Sequence, residues 1–161
     1  MDQLDFNLLW KNFVDTVTNH YMDFEGRVRR TQFWHFILVY VVVGLGVSIV
    51  GGILAMPGLR SLYGLAMLLP TLGMTARRLH DIDKPTSWVL ILAIPFLLEI
   101  LLGLLALFSL FLYPLFILIA GLATLISLAM LIALVVIIYF CAQPGTVGPN
   151  QYGPDPKGAA A

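Results

Sequence analysis

Five arginines stand in two short runs, FEGRVRR (24–30) and RRLHDIDK (77–84). The chain is only 11% charged, yet the second run packs five charges and a histidine into eight residues. Arginine carries a planar fork of donors that matches carboxylate or phosphate oxygens two at a time. Arg27, Arg29, Arg30, Arg77 and Arg78 therefore read in either of two ways. One is a phosphate or phospholipid-headgroup site. The other is membrane orientation plus local ion pairs with Glu25, Asp81 and Asp83, Arg77 and Asp81 being four apart on a helix. Arginine outnumbers lysine (Lys84) five to one in these runs. Orientation alone would accept lysine, so the excess favours specific pairing.

His80-Asp81 raises acid–base chemistry. Neighbours on a helix point roughly 100° apart, so the two are poorly placed as a dyad, and a hydrogen-bonding role for His80 fits better. Glu99 is the third candidate. It lies eleven residues past Trp88, about 16 Å along a regular helix. An intramembrane carboxyl is a functional candidate by default. As an acid it can donate to the Pro95 carbonyl one turn back or to a neighbouring helix. Ser109, Thr124 and Ser127 are the polar residues that could face it in spans 3 and 4.

The elements that position these residues are apolar. The 161-residue chain is 60% hydrophobic, with mean hydropathy +0.92, too greasy for a soluble domain. Phe33 to Ala55 is 23 residues without a charge, and about 20 helical residues cross a bilayer core. Gly44, Ser48 and Gly52 give this span a small-residue stripe for close helix approach. Met56-Pro57-Gly58 is a turn, and Leu59 to Ala76 is a second span with Pro70 inside. Trp88 to Phe140 is 53 residues whose one charge is Glu99. That is about 80 Å of helix, so it must fold back, and Pro114 suits the first turn of a new helix. The expectation is an all-α integral membrane protein with four transmembrane helices, about 33–55, 59–76, 88–108 and 114–140.

Ahead of the spans, Phe6, Trp10, Phe13, Val17 and Tyr21 recur at helical spacing. Residues 1–23 thus form an amphipathic helix that lies in the membrane interface or docks on the protein's own spans. The start is acidic (Asp2, Asp5) and no apolar core of a leader peptide precedes position 33, so no cleaved signal is expected. The tail, residues 143–161, is rich in Pro and Gly and forms successive turns, with Asn150 and Asp155 able to cap them.

Four spans place both termini and RRLHDIDK on one side. Eight basic residues fall there (Lys11, Arg27, Arg29, Arg30, Arg77, Arg78, Lys84, Lys157) against Arg60 on the other. The positive-inside rule makes that face cytoplasmic. GRVRR opens span 1 and RRLHD closes span 2, so the two clusters share this face. There Asn150, Tyr152 and Asp155 of the tail can join them. One cysteine, Cys141, excludes an intrachain disulfide. No H-x-x-x-H or H-E-x-x-H spacing, Walker loop or Rossmann glycine pattern occurs, so no cofactor or metal is expected.

Three segments in order, FEGRVRRTQFW (24–34), RRLHDIDKPTSW (77–88) and PGTVGPNQYGPDP (144–156), resemble the bacterial inner-membrane family catalogued as domain of unknown function 805. The resemblance covers about residues 5 to 157. It implies a multi-span protein of the bacterial inner (plasma) membrane and brings no established activity. Its signature positions fall on Gly26, Arg27, Arg30 and Trp34, then Arg77, Arg78, Leu79, His80, Asp81 and Trp88, then Gly145, Asn150, Tyr152, Gly153 and Asp155. The stretch between Trp88 and the tail is longer here than is common in the family.

The reading that follows is non-enzymatic: a scaffold or envelope-homeostasis factor whose cytoplasmic arginine face binds anionic phospholipid or a partner protein. Candidate binding residues are Arg27, Arg30, Arg77, Arg78, His80, Asp81, Asn150, Tyr152 and Asp155. Membrane lipids, a second copy or another membrane protein are the expected partners, and nucleic acid is not. Two alternatives stand beside it: a subunit of a small oligomeric transporter or channel using Glu99, and a headgroup-modifying enzyme using His80 and Asp81.

Overall fold

The computed structural model describes residues 6–56, 58–109 and 112–158. The acidic start, Pro57 of the expected turn and the last three residues of the tail lie outside the described residues. Among the described residues six α-helices follow in order: α1 (Phe6–Thr18), α2 (Arg30–Ile53), α3 (Gly58–Ala66), α4 (Leu68–Asp81), α5 (Leu90–Phe108) and α6 (Tyr113–Ala142). A 3-10 turn, Thr86–Val89, leads into α5. Among the described residues, three segments are long and apolar enough to cross a membrane: Arg30–Ile53, Thr86–Leu107 and Tyr113–Ala142.

The run expected as span 2 is not one helix. It breaks at Met67 into the nine-residue α3 and the fourteen-residue α4. The cause is Pro70. A proline has no N–H to give to the carbonyl four residues back, so the Ala66 carbonyl loses its helical donor. The Tyr21 hydroxyl donates to it instead, at 2.5 Å. Beyond the break, α4 continues past the expected end to Asp81, with Gly73 through Asp81 all buried. It stops in a Schellman turn. The Lys84 N–H donates to the Leu79 carbonyl at 2.9 Å and the Asp83 N–H to the His80 carbonyl at 3.0 Å. Asp83 takes the left-handed conformation this needs (φ 59°).

Helix α1 docks on the protein's own helices through Leu9, Phe13 and Thr16. Phe13 stacks on Phe36 of α2, with ring centroids 5.6 Å apart. The buried face is thus turned from the expected stripe, leaving Phe6 (73%) and Trp10 (47%) exposed. The stacking continues from Phe36 to Tyr40 and on to Tyr63 of α3. Tyr63 rests over Gly44, where a Cβ would come within 3.1 Å of its ring. The small-residue stripe of α2 is therefore used, but through Gly44 and Gly51. A Cβ on Gly52 would meet nothing within 4 Å.

Pro114 sits in the first turn of α6 as expected. Helices α5 and α6 pack along each other as a hairpin, burying Leu102 and Ile119. Only the far end of α6, with Ala133, Ile137 and Cys141 buried, reaches the α2–α4 body. The start of α2, the end of α4, the 3-10 turn and the end of α6 converge there. Lys84 lies over the Phe140 ring (4.5 Å) and Trp88 meets it edge-on (5.0 Å).

The Tyr21 bond yields a direct test. Tyr21→Phe removes one donor to a carbonyl that has no helical partner, which should cost about 1 kcal/mol as a lowered thermal midpoint in detergent. An unchanged midpoint would mean that the break at Met67 does not depend on this bond.

Candidate functional site

Asp81 is the hub of the converging ends. It is 4% exposed. Its Oδ1 accepts from Arg27 Nε (3.2 Å) and Nη2 (3.0 Å), and its Oδ2 accepts from Arg78 Nη1. Its backbone carbonyl accepts from the Thr146 N–H at 2.8 Å. Both guanidinium groups are almost wholly buried, and their remaining donors go to the tail. Arg27 Nη1 donates to the Gly148 carbonyl and Nη2 to that of Thr146, both at 2.8 Å. Arg78 Nε donates to the Cys141 carbonyl at 3.0 Å and Nη2 to that of Gln143. Burial pulls the Arg78 guanidinium below the usual arginine range, opposed by Asp81. The chain passes so close at Gly145 that a Cβ would lie 2.1 Å from Asp81 Oδ2.

The local sequence explains these placements. A helix leaves its last four carbonyls unpaired, and basic side chains near that end supply donors. Arg78 does so for Cys141, and Arg30 Nη1 reaches the Ala142 carbonyl at 3.3 Å. Gly26 takes a left-handed turn (φ 77°), and two residues on the Val28 N–H donates to the Arg77 carbonyl at 3.1 Å. The GRVRR segment is thereby fixed against the last turn of α4.

His80 faces the other side of this junction. A carbonyl can only accept, so His80 Nδ1–H donates to Gly26 O (3.0 Å) and Nε2 accepts from the Thr86 hydroxyl (2.7 Å). The ring stacks on Tyr152, with centroids 3.8 Å apart and planes 2° from parallel. Neither ring nitrogen is bonded to Asp81. Asn150 Nδ2 donates to the His80 carbonyl (2.9 Å), while its Oδ1 accepts from the Tyr152 N–H (2.9 Å). Asp155 closes the next turn by accepting from the Gly148 and Lys157 N–H groups at 2.9 and 2.8 Å. Those bonds hold its carboxyl below the usual range.

The structure thus joins six of the residues singled out above: Arg27, Arg78, His80, Asp81, Asn150 and Tyr152. Asp155 supports them as a turn cap. Arg77 departs from expectation. Asp81 pairs with Arg78 at i,i+3 and not with Arg77. Arg77 points instead toward Asp23, its Nη1 3.7 Å from the carboxylate, and its buried Nε and Nη2 have no protein partner. Glu99 lies apart, in the α5–α6 hairpin, where Ser127 Oγ donates to its Oε1 at 2.6 Å.

A hollow of about 330 Å³ opens beside the cluster, between the start of α2 and the exit of α6. Arg29, Arg30, Thr31, Pro144, Gly145 and Lys157 line it together with Asp81. Among the described residues, no carboxylate lies within ion-pair distance of Arg29, Arg30 or Lys157. Arg29 is partly spent, its Nε donating to the Pro156 carbonyl at 2.6 Å. The expected site omitted Arg29 and Lys157, and it omitted Thr86 and Thr146, which complete the polar bonds. Only tail folding reveals Lys157, 73 residues beyond Lys84 in sequence. Among the described residues, no group of three or more His, Cys, Asp or Glu could hold a metal ion.

Three outcomes follow from this geometry. Gly145→Ala should lower stability by about 1–3 kcal/mol, because the methyl must displace a buried carboxylate. Arg78→Lys keeps the charge but not the three-way fork, and should cost about 3 kcal/mol. Thermal unfolding in detergent reads both, and a midpoint like the parent's for either would contradict the packing. Burial holds His80 below its ordinary value of 6.5, against the Gly26 bond that raises it. The unfolded chain therefore binds the proton first, and the His80 contribution to stability, full above 6.5, is lost as pH falls through that value and below. The protection of amides in residues 146–153, corrected for the intrinsic pH dependence of exchange, should fall from pH 7.5 to 5.5, and His80→Gln should flatten that fall. An equal fall in both would exclude His80 as its source.

The family model described as "Protein of unknown function (DUF805)" matches residues 21–154. The inner membrane protein YhaI of Escherichia coli (strain K12) is 33% identical over 144 residues, covering 88% of this chain and 92% of YhaI. The inner membrane protein YhaH of the same strain is 29% identical over 147 residues, covering 88% and 93%. No solved structure matches the chain. The matched stretch contains both arginine runs and the tail as far as Pro154. With three helices among the described residues fit to cross a membrane and inner membrane proteins as relatives, this chain belongs to the DUF805 family of proteins of unknown function.

Proposed function

We propose that this protein is a non-enzymatic inner-membrane scaffold whose cytoplasmic face holds the phosphate of an anionic phospholipid. The observation that carries the reading is the hollow between α2 and α6. Three cations, Arg29, Arg30 and Lys157, border it, and among the described residues none has a carboxylate within ion-pair distance. The first turn of α2 adds the positive end of a helix dipole. If α2 and α6 span the bilayer, their ends put the hollow at headgroup level. Of the signature arginines, only Arg30 is the ligand's partner in this reading. Arg27 and Arg78 are already committed to Asp81 and the tail, and they shape the site from behind.

The topology behind this reading is four crossings, with the α3–α4 pair returning the chain between α2 and α5. It is supported by the four helix ends and the tail sharing one cluster, and by eight basic residues against Arg60. Both termini are then cytoplasmic. Helix α1 lies at the interface with Phe6 and Trp10 toward lipid. His80 has both nitrogens in bonds to the protein, which favours a structural role over headgroup chemistry.

The test is the lipid that co-purifies from native membranes in mild detergent. Anionic phospholipid should be enriched over bulk. The triple change Arg29→Gln, Arg30→Gln, Lys157→Gln should reduce it severalfold while Arg77→Gln does not. Adding glycerol 3-phosphate separates a headgroup site from a free-phosphate site, since only the latter gives full displacement. Equal anionic lipid on parent and triple variant would end the proposal.

A further inference from the structure

The Glu99–Ser127 pair takes no part in the cluster at the helix ends. Glu99 is the tenth of nineteen residues in α5, and Ser127 the fifteenth of thirty in α6. Both stand near the middle of their helices. Ser127 satisfies one carboxyl oxygen at 2.6 Å. Among the described residues no other hydrogen bond reaches the Glu99 carboxyl. The pair is on an open flank of the hairpin, Glu99 half-buried and Ser127 exposed. Hydrocarbon offers neither donor nor acceptor, so a half-matched carboxyl there is costly.

Something of matching polarity at the same depth would remove that cost. A lipid headgroup is too far, since Glu99 lies about 14 Å along α5 from Leu90. A carboxylic acid carries one donor and one acceptor and is its own complement. A two-fold axis along the membrane normal brings the same residue of a second copy to the same depth. At Gly103, one turn further along α5, an added Cβ would meet nothing within 4 Å, which leaves room for a close neighbour. We propose that two copies of this chain pair through their α5–α6 hairpins, with their Glu99 carboxyls bonded to each other at the centre of the contact. This pairing is independent of the lipid site.

The test is oxidative cross-linking of the full chain in native membranes, in a Cys141→Ser background. Thr124→Cys places a thiol on the Ser127 flank, one turn away. Leu118→Cys places it on the opposite face, nine residues from Ser127, and is the control. Thr124→Cys should give a band at twice the 17.8 kDa chain mass, and Leu118→Cys should not. Adding Glu99→Leu should cut the yield about tenfold, the loss of one interhelical hydrogen-bond pair. Glu99→Gln keeps a donor and an acceptor and should retain it. Leucine is at home in a span, and a protease-resistant tail confirms that each variant is folded. No band at twice the mass, a product of another mass, equal yields at the two positions, or an undiminished yield with Glu99→Leu would each overturn the proposal.

Discussion

Asp81 is a carboxylate almost entirely removed from water, and such a group persists only where several donors face it. Here the donors are the forks of Arg27 and Arg78, which are buried with it. Two cations around one anion leave an excess positive charge, and that excess is spread over backbone carbonyls of Cys141, Gln143, Thr146 and Gly148. Each carbonyl belongs to the end of α6 or to the tail. The charge balance of one side chain on α4 therefore dictates where the end of α6 and the start of the tail must lie.

The consequences run outward from this point. The end of α6 is capped by an arginine from α4, so the α5–α6 hairpin is held by its foot while the rest of it remains open. The tail, which among the described residues has no α-helix or strand of its own, is held by bonds to Arg27, His80 and Asp81 and by the Tyr152 stack. That ordered tail carries Lys157 to the mouth of the α2 hollow. Arg27 and Arg78 are thus committed to the protein's own carboxylate and carbonyls, and Arg29, Arg30 and Lys157 stand next to them.

Much of the frame is legible in the sequence because it depends on composition and length. Apolar runs as long as a bilayer core, with Glu99 as the one charge inside them, mark α2, α5 and α6, and Pro114 marks the start of α6. The meeting of GRVRR with RRLHD follows from both lying at the same helix ends. Other features depend on rotation about a helix axis, which spacing does not fix. Arg77 and Arg78 both lie within reach of Asp81 along the helix. Packing of the 24–29 loop decides between them by taking the Arg78 side for the cluster and turning Arg77 to Asp23. Pro70 signals a weakened helix, but the Tyr21 hydroxyl that completes the break is 45 residues in sequence from the Ala66 carbonyl it bonds. In α1 the apolar residues cover more than one stripe, and contact with Phe36 selects Leu9 and Phe13. For Glu99 the fold-back suggests a partner on α6 and leaves Ser127 as one of several candidates.

The central claim is that the polar cluster gathers the GRVRR loop and the tail on one side of the membrane. Glu25 and Gln151 are both exposed at that cluster. A single cysteine at either position, with Cys141→Ser, can be probed with a membrane-impermeant maleimide in intact and lysed cells. Both positions should be protected in intact cells and label after lysis. Labelling of one position in intact cells and protection of the other would contradict the account, since a cluster built around Asp81 cannot have its two halves across a bilayer.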